Sequence, residues 1–167
     1  MSGPTCGAAP IAAALVVVLS LAGCRQPDGS IPVPEGEQSN RIDDISRDLQ
    51  NLANKDTNAA AELLDDLTYL EPVPRPPARL KALADALATA LGGARLPDAE
   101  ARQTATLVFQ LVAARDMSDA QIEQVATELR DLLVKVGAMA EPAERAAAAA
   151  SALASDISQN QKRWYHR

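Results

Sequence analysis

The chain is poor in the residue types on which catalysis and β-structure draw. Of its 167 residues one is histidine, His166, next to the end. Histidine relays, Ser-His-Asp triads and HExxH-type zinc sites therefore cannot be assembled from this chain alone. Tyr69, Phe109, Trp164 and Tyr165 make up the whole aromatic complement, 2% of the residues, and β-branched residues form no alternating run after Val18. An all-β domain is excluded on that ground. No EF-hand spacing, glycine-rich phosphate loop or G-x-S-x-G elbow occurs, so the sequence argues against an enzyme. No charged side chain precedes Arg25, and the net charge of -6 belongs entirely to the remainder. That balance disfavours a nucleic-acid partner. Cysteine is confined to Cys6 and Cys24. No apolar run approaches the roughly 20 residues of a membrane-spanning helix.

The longest apolar run, residues 11–21 (IAAALVVVLSL), has the length of a secretory signal core. Leu21-Ala22-Gly23-Cys24 closes it, and a polar stretch rich in proline and glycine comes at once after it. This tetrapeptide resembles the lipobox of bacterial lipoproteins, in which Leu21, Ala22 and Gly23 would be read by the signal peptidase. The resemblance implies a cleaved leader over residues 1–23. It also implies a mature amino terminus at Cys24, bearing a thioether-linked diacylglycerol and an amide-linked acyl chain. Several chains anchor durably, because each buried methylene contributes about 0.8 kcal/mol and one chain alone holds only marginally. Cys6 would leave with the leader and Cys24 would be consumed by lipid, so the mature fold has no disulfide and must rest on helix packing. Lipoprotein sorting patterns imply outer-membrane delivery, on the periplasmic face, if the envelope has two membranes, since Arg25 rather than Asp succeeds the cysteine.

Residues 24–39 read as a lipidated flexible tether, with Pro27, Pro32 and Pro34 and no apolar periodicity. Beyond it the apolar positions take helical spacing. Ile42, Ile45, Leu49 and Leu52 form one stripe, with Asn40 and Asp43 placed as a capping-box-like start; Ala60, Leu63, Leu64, Leu67 and Leu70 form a second, with Asp56 or Thr57 as its cap. Pro72, Pro74, Pro76 and Pro77 then interrupt the chain, because each removes an amide donor and restricts its predecessor. The expected domain, residues 40–160, thus falls into a helical hairpin (40–70), a proline-rich linker (71–77) and a bundle (78–160).

Within the bundle a pattern recurs at an offset of 21 residues. The stripe Ile122, Val125, Ala126, Leu129, Leu132, Leu133 and Val136 maps back onto 101, 104, 105, 108, 111, 112 and 115, then onto 80, 83, 84, 87, 90, 91 and 94. Only Thr104 and Arg115 break the apolar register. Three successive helix-plus-turn units would produce it, and so would chance alignment of short helices in an alanine-rich chain. A last helix is expected from near Pro142 to about residue 160. The fold class is all-α, a small bundle of about six short amphipathic helices.

Met117-Ser118-Asp119-Ala120-Gln121, and less fully Leu96-Pro97-Asp98-Ala99-Glu100, resembles the LTxxQ motif of the Spy/CpxP group of periplasmic helical proteins. That resemblance implies a chaperone or envelope-stress role, while the physical content of the motif is a capping box between Ser118 and Gln121. Acidic residues gather at Asp43, Asp44 and Asp48 and again at Asp65 and Asp66. A divalent cation or a carboxylate pair is one use for them. The favoured reading places Asp43 and Asp44 in the first turn of a helix and Asp65 and Asp66 on a solvated face. The end of the chain, residues 161–167, is basic and aromatic: Lys162, Arg163, Trp164 and Tyr165 can meet anionic head groups, a glycan or a partner groove, or fold back on the last helix. The reading as a whole is a lipid-anchored envelope protein that binds, adapts or scaffolds a protein partner without catalysis. It needs no cofactor beyond the covalent lipid on Cys24 and no metal, and the alternative is a Spy/CpxP-like chaperone.

Overall fold

A computed structural model describes residues 35–70, 76–114 and 116–165, with side chains from 36 to 161 within those limits. The chain divides into two units, Met1–Pro32 and Val33–Arg167. The second holds six helices: α1 (Glu35–Ala53), α2 (Ala59–Thr68), α3 (Pro77–Leu91), α4 (Asp98–Val112), α5 (Asp119–Lys135) and α6 (Ala140–Tyr165). The leader, the lipobox and Cys24 lie outside the described residues, as do residues 71–75 of the proline-rich linker.

The four last helices start 21 residues apart, at Pro77, Asp98, Asp119 and Ala140. Each start has a local cause. Pro77 occupies the first position of α3, where its missing N–H would have been unbonded anyway. Asp98 and Glu100 put negative charge in the first turn of α4. Ser118 caps α5, and Pro142 falls within the first turn of α6, which begins two residues before the proline. The α5 terminus is a Schellman motif: Ala138 N–H donates to Leu133 O at 3.0 Å and Gly137 N–H to Val134 O at 3.1 Å, with Gly137 at φ +105°. The α1 terminus repeats it without glycine. Asp56 N–H donates to Asn51 O and Lys55 N–H to Leu52 O, both at 3.0 Å, and Lys55 takes φ +60°.

Regular spacing does not make a solenoid, in which each repeat would touch only its neighbours. The principal seams are α5 with α6, α3 with α6 and α1 with α4, whereas α3 and α4, consecutive in the chain, share little. The result is one closed core. The expected stripes face it: Leu80, Leu83, Ala84, Leu87, Ala90 and Leu91 of α3 are buried, as are Ala101, Thr104, Ala105, Val108, Leu111 and Val112 of α4. Ala94 and Val125 are half-buried. The Thr104 hydroxyl is accommodated inside its own helix, donating to Glu100 O at 2.7 Å.

Three expectations are corrected. Residues 35–39 belong to α1 rather than to the tether, so the helix starts five residues earlier than the capping-box reading places it, and Asn40 lies inside it. The hairpin of residues 40–70 is not a separate layer, because α1 is seated on α4 and α3 as well as on α2; this is what buries Ile45, Leu49 and Leu52. The last helix continues through residues 161–165, so the backbone of Lys162, Arg163, Trp164 and Tyr165 is helical, while their side chains fall outside the described residues.

Gly137 tests the terminus separately from the core, since nothing lies within 4 Å of where its Cβ would stand. Gly137→Ala is expected to cost about 1 kcal/mol through backbone strain alone. Leu133→Ala, which empties a fully buried position, is expected to cost about 3 kcal/mol. Urea unfolding monitored by circular dichroism measures both.

Candidate functional site

Two features of the bundle go beyond packing: an open groove beside the α4–α5 turn and a carboxylate pair between α1 and α2, one member buried and the other half-buried.

The groove encloses about 520 Å³. Ala113, Met117 and Val125 supply apolar surface; Gln110, Gln124 and Glu128 supply amides and one carboxylate, with Gln124 Nε2 donating to Glu128 Oε1 at 3.2 Å. This lining suits a neutral or partly apolar segment rather than an anion.

The capping box that shapes one wall is formed as expected. Ser118 Oγ accepts from Gln121 N–H at 3.3 Å, and Gln121 Oε1 accepts from Ser118 N–H at 2.9 Å. The LTxxQ-like residues are thus engaged in starting a helix. The turn leading into them is strapped to α6, where Ser158 Oγ donates to Met117 O at 3.1 Å and Gln161 Oε1 accepts from Asp116 N–H at 3.2 Å. Asp116 sits at φ +52°, so the strap holds a left-handed residue in place. Sequence reasoning alone misses Ser158 and Gln161. The signal is present: they continue the inner stripe Ala150, Ala154 and Ile157 at helical spacing, as buried polar positions in an apolar row.

The acidic residues separate into two groups. Asp43 pairs with Arg102 of α4, whose Nη2 also donates to Ser39 Oγ at 3.2 Å, and Asp44 pairs with Arg47. Because α1 begins at Glu35, Asp43 and Asp44 lie in mid-helix, and these exposed ion pairs, rather than a helix N-terminus, compensate them; each is worth at most about 1 kcal/mol. Asp65 is exposed, as expected. Asp66 is not on a solvated face: it is half-buried and meets Asp48 across the α1–α2 seam. Asp56 does assist the start of α2, accepting from Asn58 N–H at 2.9 Å, although Asn58 is the capping position.

Asp48 is 6% exposed, and its Oδ2 is out of solvent with no hydrogen-bond donor among the described residues. The helical phase explains why. Asp48 comes three residues after Ile45 and four before Leu52, and Asp66 comes three after Leu63 and four before Leu70, so both occupy core-facing positions of their stripes. Burial, the charge of Asp66, a carboxyl–carboxyl hydrogen bond to Asp66 and the charge of Glu62 push the Asp48 carboxyl from 3.8 up to about 7, against a smaller opposing pull from Arg47. A raised folded value means that the folded chain holds this proton more tightly than the unfolded one. The corresponding stability is present in full below pH 3.8 and is lost as pH rises through about 7.

Among the described residues no three His, Cys, Asp or Glu side chains are placed to hold a metal ion, and no helix is long and apolar enough to cross a membrane. Ser118→Ala is expected to cost about 1 kcal/mol, and Ser158→Ala a similar amount by leaving Met117 O without its donor. Urea midpoints equal to that of the unmodified chain would contradict both assignments. Comparison with known protein families, curated proteins and solved structures finds no match to this chain.

Proposed function

We propose that this chain is an envelope lipoprotein, held at a membrane by lipid on Cys24, whose helical domain works as a non-enzymatic binding or adaptor module. The observation that carries the reading is Leu21-Ala22-Gly23-Cys24 at the close of the apolar run of residues 11–21. No other use of a cysteine in that setting is as economical, since the remaining chain offers it no disulfide partner after the leader is removed.

The start of α1 refines the geometry of this proposal. Residues 25–34 separate Cys24 from α1, and the eleven residue steps from Cys24 to Glu35 span at most about 40 Å even when fully extended. The domain would therefore work within that distance of the bilayer surface, in reach of membrane-embedded or membrane-proximal proteins. The groove beside the α4–α5 turn supports the binding part of the reading, because its amides and small apolar floor offer recognition without an evident reactive group.

Mass spectrometry of the amino-terminal peptide tests the anchor. The native product is expected to begin at Cys24 with the added mass of acyl chains and to partition into detergent. Cys24→Ala is expected to retain residues 1–23 and to carry no acyl mass. A native product that still begins at Met1, or that partitions into buffer without detergent, overturns the proposal.

A further inference from the structure

The carboxylate pair lies in a different seam from the groove, and its behaviour depends neither on the groove nor on the proposed anchor. Asp48 is buried in the α1–α2 seam, with its Oδ2 out of solvent and without a donor among the described residues, and the facing helix brings a second carboxyl, Asp66, beside it. Two carboxyls in hydrogen-bond contact require a proton on one of them. When that proton leaves, two negative charges face each other, one buried and one half-buried, where water screens them only in part, and each gains from separation.

The charges around Asp48 give no escape from this. From α2, Glu62 and Asp66 both oppose its ionisation, while from α1 itself Arg47 favours it, and Arg47 is already paired with Asp44. The other helices packed on α1 direct their charges elsewhere. Arg102 and Asp98 of α4 engage Asp43 and Gln50, and Arg79 and Lys81 of α3 pair with Asp156 and Asp85.

The element on the far side of the seam is the one least able to stand alone. α2 has ten residues, and isolated helices of that length are marginal in water. It carries no side-chain cap at Asn58 and no basic residue in its last turn, where Asp65 and Asp66 add negative charge to the negative end of the helix dipole. Its place in the fold rests on Leu63 and Leu67, both fully buried, and on the adjoining Leu70.

We infer that the α1–α2 seam is a proton-operated clasp: a proton on the buried Asp48 carboxyl keeps α2 docked, and its loss releases α2 and uncovers the leucines that α2 and α1 bury against each other. A domain built this way responds to acidity by exposing or hiding an apolar strip, without unfolding the α3–α6 body.

Hydrogen exchange on the full chain in detergent, at about pH 5.5, about pH 7 and about pH 8.5, reads this directly once the chemical exchange rate is divided out. Amides of α2 are expected to lose about tenfold or more in protection across that range while those of α5 do not. Asp48→Asn keeps the neutral form at every pH and is expected to flatten the α2 profile; Asp66→Asn removes the facing charge but not the burial of Asp48, and is expected to make the fall shallower, which keeps the inference testable if Asp48→Asn folds poorly. The inference is overturned by α2 protection that is constant with pH in the unmodified chain, by an equal fall in α5, by a fall that Asp48→Asn retains, or by one that Asp66→Asn leaves undiminished. Restoration of α2 protection at about pH 8.5 by millimolar Ca²⁺ or Mg²⁺ also overturns it, since a cation rather than a proton would then be the natural occupant.

Discussion

The bundle depends on the narrow inner face of α6. Ala143, Ala146, Ala150 and Ala154 are fully buried along it, with Leu153 and Ile157 toward the carboxy-terminal end. Small side chains let neighbouring backbones approach closely, toward the short end of the usual interhelix range of about 8–10 Å. α3 and α5 both use that approach, and α4 meets the same helix less extensively. The compensation is that alanine removes little area from water, so most of the hydrophobic gain must come from leucines on the facing helices, such as Leu83, Leu87, Leu111, Leu129 and Leu133. A larger residue on the α6 face would push several partners apart at once, because interiors are packed too densely to absorb it locally.

Much of this arrangement is legible in the chain itself. Apolar residues at helical spacing locate all six helices, and the recurrence at 21 residues matches the spacing of the starts of α3, α4, α5 and α6. Gly92-Gly93 and residues 116–118 mark real breaks, the first because Gly93 adopts φ +89° and donates to Ala53 O at 3.1 Å, drawing the end of α3 toward the end of α1. What spacing does not encode is the pairing of helices. Nothing in a stripe distinguishes a neighbour in sequence from a neighbour in space, so α1 with α4 and α3 with α6 emerge only in three dimensions.

Where residue type and helical phase disagree, phase wins. At the start of α1 there is no apolar phase to read, and Gly36 and Ser39 have the composition of a tether; there the helix is supported by side chains one turn apart, Glu37 pairing with Arg41. Asp65 and Asp66 share a chemistry that suits solvent, although neighbours on a helix differ by about 100° in direction, and only Asp65 points outward. Asp48 and Asp66 sit where a leucine would fit the pattern of either helix. A polar residue in an apolar register calls for a buried partner before any appeal to charge on the surface.

Ser158 and Gln161 give the end of α6 a mechanical role. By holding Met117 O and Asp116 N–H they couple the last turns of the chain to one wall of the groove. Because α6 continues as helix to Tyr165, a displacement of its last turns would disturb the groove wall together with the seams of the bundle.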